Sequence, residues 1–101
     1  MIIDALIKMI NCQLELLNKA HKTDWKLYFD KNGKWHPELQ KLKYVAYIRE
    51  GDNNLVMSSN TAADDDKYAC LWQIWFYLTG LLHADYRDGW IDGFTKEILK
   101  L

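Results

Sequence analysis

The sequence contains few of the residues that interrupt or crosslink regular structure. It has one proline, five glycines and two cysteines among 101 residues, while half of its residues are hydrophobic. That composition excludes a disordered chain or a proline-rich linker. The longest apolar segment, Tyr68 to Leu82, is shorter than the roughly 20 residues that a membrane-spanning helix needs. We therefore expect one soluble, cytoplasmic domain covering residues 1–101, in which Cys12 and Cys70 are reduced.

Motifs for catalysis, metal binding and cofactor binding are also missing. The three histidines, His21, His36 and His83, have no ligand at zinc-site spacing, and no glycine-rich phosphate loop is present. Two acidic clusters do not match the spacing of a calcium loop. His36 and Glu38 are two residues apart and could exchange protons, but no pattern around them indicates a pocket. We predict no cofactor, no metal and no catalytic residues, so an enzyme is the less favoured hypothesis.

Hydrophobic spacing predicts three helices. Apolar residues recur at three- and four-residue steps from Ile2 to Ala20, as in an amphipathic helix. A longer helix is predicted from Ala62 to His83, because Thr61 and Asp64 match a capping box. Three consecutive acids, Asp64 to Asp66, would then lie in its first turn, where the helix dipole favours negative charge. The pattern from Trp90 to Leu101 predicts a short final helix.

Alternating patterns between the helices predict strands. They cover Trp25–Phe29, Lys34–His36, Lys43–Glu50 and Leu55–Ser58. Asn32 and Gly33 tolerate positive φ, so Asp30 to Gly33 is predicted as a tight hairpin turn between the first two strands. The predicted fold is α+β. A single domain has an N-terminal helix and a three- or four-stranded antiparallel meander, followed by a long and a short C-terminal helix packed on one face of the sheet.

The segment from Tyr68 to Leu82 is apolar on nearly every side when it is wrapped on a helix. Such a helix needs cover on more than one flank. Trp and Tyr dominate protein interfaces, so the predicted interface residues are Tyr68, Trp72, Trp75 and Trp90. The leading functional hypothesis is a small non-enzymatic protein-interaction factor, such as an inhibitor, immunity or accessory protein of a mobile element. Its partner would be another protein or a second copy of itself in a homodimer.

Charge is distributed unevenly along the chain. Residues 19–49 carry eight cations and three acids, a net charge of +5, whereas residues 50–101 carry four cations and nine acids, a net charge of −5. Either two solvated faces of opposite sign account for this distribution, or a basic face serves an acidic partner.

Aromatic residues interleave with the cations of the basic region. This pattern supports an alternative hypothesis of single-stranded nucleic-acid binding, by base stacking and phosphate contact. Its candidate contact residues are Lys26, Tyr28, Lys34, Trp35, Tyr47 and Arg49. The whole-chain pI of 6.3 argues against a strong electrostatic footprint. A third hypothesis is a small enzyme or ligand-binding domain with a pocket assembled from distant residues.

Overall fold

A computed structural model describes residues 2–52 and 54–91 of the chain. The elements follow in the order α1 (Ile2–His21), β1 (Trp25–Phe29), β2 (Lys34–His36), β3 (Lys41–Glu50), β4 (Asn54–Thr61), a 3-10 turn (Asp64–Asp66) and α2 (Ala69–Arg87). The predicted α+β class, N-terminal helix, antiparallel sheet and long C-terminal helix are confirmed. The predicted final helix lies largely in residues 92–101, outside the described residues.

The N-terminal helix α1 forms where its apolar residues repeat. Ile3, Leu6, Ile10, Leu14 and Leu17 are buried, as the spacing predicts. The helix ends at His21, and the positive φ of 56° at the next residue, Lys22, allows the backbone N–H of Thr23 to donate back to the carbonyl of Asn18. The Asn18 side chain also bonds both the N–H and the carbonyl of Trp25, at 2.8 and 3.0 Å. These bonds fix the point at which the chain enters β1.

The long strand β3 organises the sheet, because all three other strands pair with it antiparallel. β1 pairs with Ala46–Glu50, β2 with Lys41–Lys43, and β4 with Tyr44–Glu50. The hairpin between β3 and β4 is confirmed, with a register shift between Ile48 and Arg49.

The predicted hairpin between β1 and β2 is wrong. The backbone N–H of Gly33 does donate to the carbonyl of Asp30, so the tight turn forms, but β1 and β2 both continue along β3. Four residues of the turn stand opposite two residues of β3, so the extra length bulges outward and the chain keeps its direction. This pairing sets Leu27 beside Ile48, which is fully buried.

Both helices pack on one face of the sheet. The core lies between them and the strands and includes Ala46, Ile48, Ile74 and Leu78, all fully buried. Hydrogen bonds across this layer fix the position of α2. Gln13 Nε2 donates to Thr79 Oγ1 at 2.8 Å, and the Ser59 hydroxyl donates to Gln73 Oε1.

The predicted capping box at Thr61 is wrong, because α2 begins at Ala69. Asp64 instead accepts a hydrogen bond from Tyr44 Oη at 2.6 Å, a contact twenty residues away in sequence. This bond holds the acidic residues in a 3-10 turn ahead of the helix. At the other end, α2 extends to Arg87. Its C-terminus is followed by Gly89, whose φ of 83° suits a residue without a β-carbon.

Candidate functional site

The face of the sheet away from the helices is open among the described residues. Successive side chains of a strand point to opposite faces, so the buried Ala46 and Ile48 fix where their neighbours point. Val45, Tyr47 and Arg49 therefore lie on the other side, and each is only half-buried. We call this surface the open face. Its cross-strand pairs are Lys26–Arg49, Tyr28–Tyr47, Lys34–Lys43 and His36–Lys41.

Two of these pairs bring like charges together. Lys26 lies directly opposite Arg49, and Lys34 lies directly opposite Lys43. Like charges at directly paired positions destabilise a sheet, whereas opposite charges there stabilise it. Lys26 has Asp24 at 3.8 Å, but no carboxylate of the described residues lies within 4.0 Å of the charged groups of the other three. The sheet therefore concentrates positive charge on its open face at a cost to its own stability.

Between the two basic pairs lies an aromatic pair. The rings of Tyr28 and Tyr47 stack with centroids 5.1 Å apart and an interplanar angle of 10°. The Arg49 guanidinium lies over the Tyr47 ring, 5.3 Å from its centroid. Tyr28 remains 36% exposed, so part of its ring surface is available to a further planar group.

A shallow concavity of about 420 Å³ lies beside this pair. It is lined by Tyr28, Phe29, Asp30, Lys34, His36, Lys43, Val45 and Tyr47. One carboxylate oxygen of Asp30 is used within the turn, because Oδ1 accepts a hydrogen bond from the backbone N–H of Asn32 at 2.9 Å. At the far end His36 Nδ1 lies 3.5 Å from Glu38 Oε1. The pKa of Glu38 is lowered by a hydrogen bond to its own backbone and then by His36, which keeps it ionised.

Five of the six residues predicted for nucleic-acid contact share the open face. Trp35 does not, because it pairs with Leu42, one step out of phase with the Lys34–Lys43 pair. It is 56% exposed, but its side chain belongs to the opposite side of the sheet. Lys41 and Lys43 also lie on this face, although neither is among the predicted contact residues. Alternation along β3 indicates their side of the strand, but the register that brings Lys43 beside Lys34 does not follow from a local pattern.

The predicted protein-interface residues lie on or near α2, and they differ in exposure. Trp72 is 40% exposed and Trp90 is 58% exposed, whereas Tyr68 and Trp75 are half-buried against the core. Phe76, which is not among the predicted interface residues, is 65% exposed. The rings of Trp72, Trp75 and Phe76 contact one another, with centroids 5.2 to 6.3 Å apart. We call Trp72, Phe76 and the neighbouring Gly80 the α2 ridge.

A third feature is a cavity of about 340 Å³ between the ends of α1 and α2. His21 Nε2 lies 2.8 Å from Asp85 Oδ2 there, and the Trp90 ring lies over the His21 ring at 4.6 Å. Among the described residues, Thr23 is the one hydroxyl residue that lines it, but its Oγ1 donates to Asn18 Oδ1 at 2.8 Å. In this part of the chain the pair therefore has no activated nucleophile beside it.

Other reactive groups of the described residues are separated. No group of three or more His, Cys, Asp or Glu side chains is arranged to hold a metal ion within residues 2–52 and 54–91. Cys12 and Cys70 are both free, and burial raises the pKa of the Cys70 thiol, which keeps it protonated and unreactive. In the same part of the chain, neither helix has the length and apolar character needed to cross a membrane.

Comparison of the chain with known protein families, curated proteins and solved structures finds no match.

Proposed function

We propose that this protein binds single-stranded nucleic acid through the open face of its sheet. The observation that carries the proposal is the sequence of cross-strand pairs, in which a stacked tyrosine pair lies between two pairs of cations. Phosphates would supply the negative charge that Lys34, Lys43 and Arg49 lack at ion-pair distance among the described residues. Bases would supply planar partners for the tyrosine rings.

The arrangement favours a single strand over a duplex. Bases in a duplex are stacked on each other, so their faces are unavailable to an aromatic side chain on a flat sheet. Unpaired bases can lie against the exposed part of Tyr28 while the flanking lysines contact phosphates. The concavity beside Tyr28 has the volume of a small-ligand site, so it has room for one base.

The length of the open face sets the expected footprint. Lys41 and Arg49 are eight residues apart on β3, or about 26 Å at roughly 3.3 Å per residue. That span suits a short segment of single-stranded nucleic acid, at the lower end of the roughly 4–16 nucleotides that known single-strand sites cover. The whole-chain charge of −1 is no obstacle, because screening confines each charge to about 8 Å at physiological salt.

The test removes the unpaired cations and compares affinities. Binding of a fluorescent single-stranded oligonucleotide of about 20 residues would be followed by anisotropy over a range of KCl concentrations. Replacing Lys34 and Lys43 by Gln removes two phosphate contacts. We expect the salt slope to fall by about 1.4 and affinity near 0.1 M salt to fall about 25-fold.

The matched control removes the same charge elsewhere. Lys8→Gln with Lys19→Gln changes two exposed lysines of α1, and we expect affinity to change less than about 2-fold. A second readout excludes damage to the fold. Because Lys34 and Lys43 repel each other, their replacement should raise the free energy of unfolding by about 0.5 kcal/mol. Loss of affinity with a gain in stability is the expected combination.

Three outcomes would contradict the proposal. The first is no binding by the wild-type chain even at low salt. The second is equal weakening by the open-face pair and the α1 pair, which would indicate attraction without a defined surface. The third is equal affinity for duplex and single strands, together with no effect of Tyr28→Ala, which would remove base stacking from the mechanism.

The protein-interaction hypothesis remains a prediction. The exposed rings of α2 favour a contact with an apolar surface of another protein. A role as inhibitor, immunity or accessory protein stays a prediction without a supporting observation in the described residues. The enzyme hypothesis stays a prediction too, since His21 and Asp85 have no free nucleophile beside them among the described residues.

A further inference from the structure

We infer that the open face selects guanine over the other bases and that Asp30 is the residue that distinguishes them. This inference rests on the proposed function and names the base that the concavity beside Tyr28 would hold. Asp30 lines that concavity together with Lys34, His36 and Lys43, and it is the one acidic residue to do so among the described residues. A single carboxylate therefore lies among two lysines and a histidine.

The Asp30 carboxylate has unused hydrogen-bonding capacity. Its Oδ1 accepts the backbone N–H of Asn32 at 2.9 Å, which orients the group within the turn. It has no ion pair among the described residues, and the neighbouring Lys31 pairs with Asp4 at 3.5 Å instead. Each carboxylate oxygen has two lone pairs, so the group can accept further hydrogen bonds. Because a carboxylate repels phosphate, its position within a basic surface favours a contact with a base.

Asp30 is well placed to contact a base that stacks on Tyr28. The two residues are two positions apart, about 7 Å in an extended chain, and both side chains line the same concavity. A base is of similar width, so a base lying against the exposed part of the Tyr28 ring would bring one edge to the carboxylate. Lys34 and Lys43 line the concavity as well, so a second edge of the same base could contact an ammonium group.

The donor pattern of the bases selects guanine. A carboxylate only accepts hydrogen bonds, and guanine has two adjacent donors, N1–H and the 2-amino group, on its Watson–Crick edge. Adenine and cytosine each have one amino group there with a ring acceptor beside it, and thymine and uracil have one N–H between two carbonyl oxygens. The acceptors O6 and N7 of guanine also match the ammonium groups of Lys34 and Lys43. Guanine is therefore the base that both charges of the concavity favour.

Anisotropy with labelled octamers of thymidine tests the inference. Each octamer carries one central base, which is guanine, adenine, hypoxanthine or thymine. Guanine and adenine are both purines, so comparing them separates hydrogen bonding from the general stacking advantage of a larger ring. We expect the guanine octamer to bind about 10-fold more tightly than the adenine octamer. Hypoxanthine lacks the 2-amino group, so it should lose most of this preference.

Asp30→Asn is the decisive variant. The amide keeps an acceptor for the N–H of Asn32, but it sets an amino group against the donors of guanine. The preference for guanine over adenine should fall below about 2-fold, whereas affinity for the all-thymine octamer should not fall, because the change removes a negative charge. Asp24→Asn is the matched control. It removes the same charge from an exposed residue that precedes β1 and does not line the concavity, so the preference should persist.

Three results would overturn the inference. One is equal affinity for the guanine and adenine octamers, another is equal affinity for the guanine and hypoxanthine octamers, and the third is a guanine preference that survives Asp30→Asn in a variant folded by circular dichroism. No binding of any octamer would overturn the proposed function and this inference with it. Binding without a preference for guanine would overturn this inference alone, so the two failures are distinguishable.

Discussion

The open face of the sheet and the α2 ridge are both exposed, but they differ in the side chains that they present. The open face carries cations in directly opposed pairs around stacked tyrosines, whereas the ridge belongs to a helical segment with no Asp, Glu, Lys or Arg from residue 68 to residue 84. Charge repulsion destabilises the open face, whereas exposed apolar area is the cost at the α2 ridge. Each cost would be relieved by a different kind of partner. A polyanion would relieve the first, and a matching apolar surface would relieve the second.

The two sides of α2 should respond most differently to truncation. Leu78→Ala removes a fully buried side chain, and we expect it to lower the free energy of unfolding by about 3 kcal/mol. Phe76→Ala removes an exposed ring, so unfolding of the dilute monomer should change by less than about 0.5 kcal/mol. Urea denaturation at low protein concentration measures both. A large loss for Phe76→Ala under those conditions would mean that the ring stabilises the monomer, which contradicts its place in the ridge.

Two glycines provide the next comparison. Gly33 has a φ of 73°, and a β-carbon there would lie 2.8 Å from the Tyr44 ring, so Gly33→Ala should destabilise the chain by about 2 kcal/mol. A β-carbon at Gly80 would meet no atom of the described residues within 4 Å, so Gly80→Ala should stabilise the dilute monomer by up to about 1 kcal/mol. The two substitutions are chemically identical, so thermal denaturation of both compares backbone requirements directly. Destabilisation by Gly80→Ala would contradict the prediction, because it would mean that Gly80 has an intramolecular role.

Tyr44 connects β3 to the turn before α2, because its hydroxyl donates a hydrogen bond to Asp64. The hydrogen bond to Asp64, followed by burial, raises the pKa of Tyr44 above its ordinary value of 10.0. A raised pKa of this kind stabilises the fold below the unfolded-state value, and the stabilisation is lost as the pH rises through the folded-state value. Tyr44→Phe should therefore lower the denaturation midpoint moderately at neutral pH. The difference from wild type should shrink above pH 10, and a constant difference across that range would exclude the phenol as its source.

Much of the fold followed from residue patterns of short range. The apolar repeat of α1 and the alternation of β3 depend on neighbours three, four or two residues away, and both predictions were confirmed. The charge asymmetry also indicated a basic surface before its geometry was known. The start of α2 was not predictable in this way, because the bond that displaces it joins Tyr44 to Asp64 across twenty residues.

The candidate site likewise has features that follow from short-range patterns and features that depend on long-range contacts. The sequence by itself determined which residues are cations and rings, and the period of two along β3 determined which of them avoid the core. Only the tertiary structure decided that Lys34 faces Lys43, that Trp35 leaves the open face, and that α2 turns Phe76 outward. The physical reason is that strand pairing and helix packing are set by the burial of Ala46, Ile48 and Ile74 together, and no single segment contains that information.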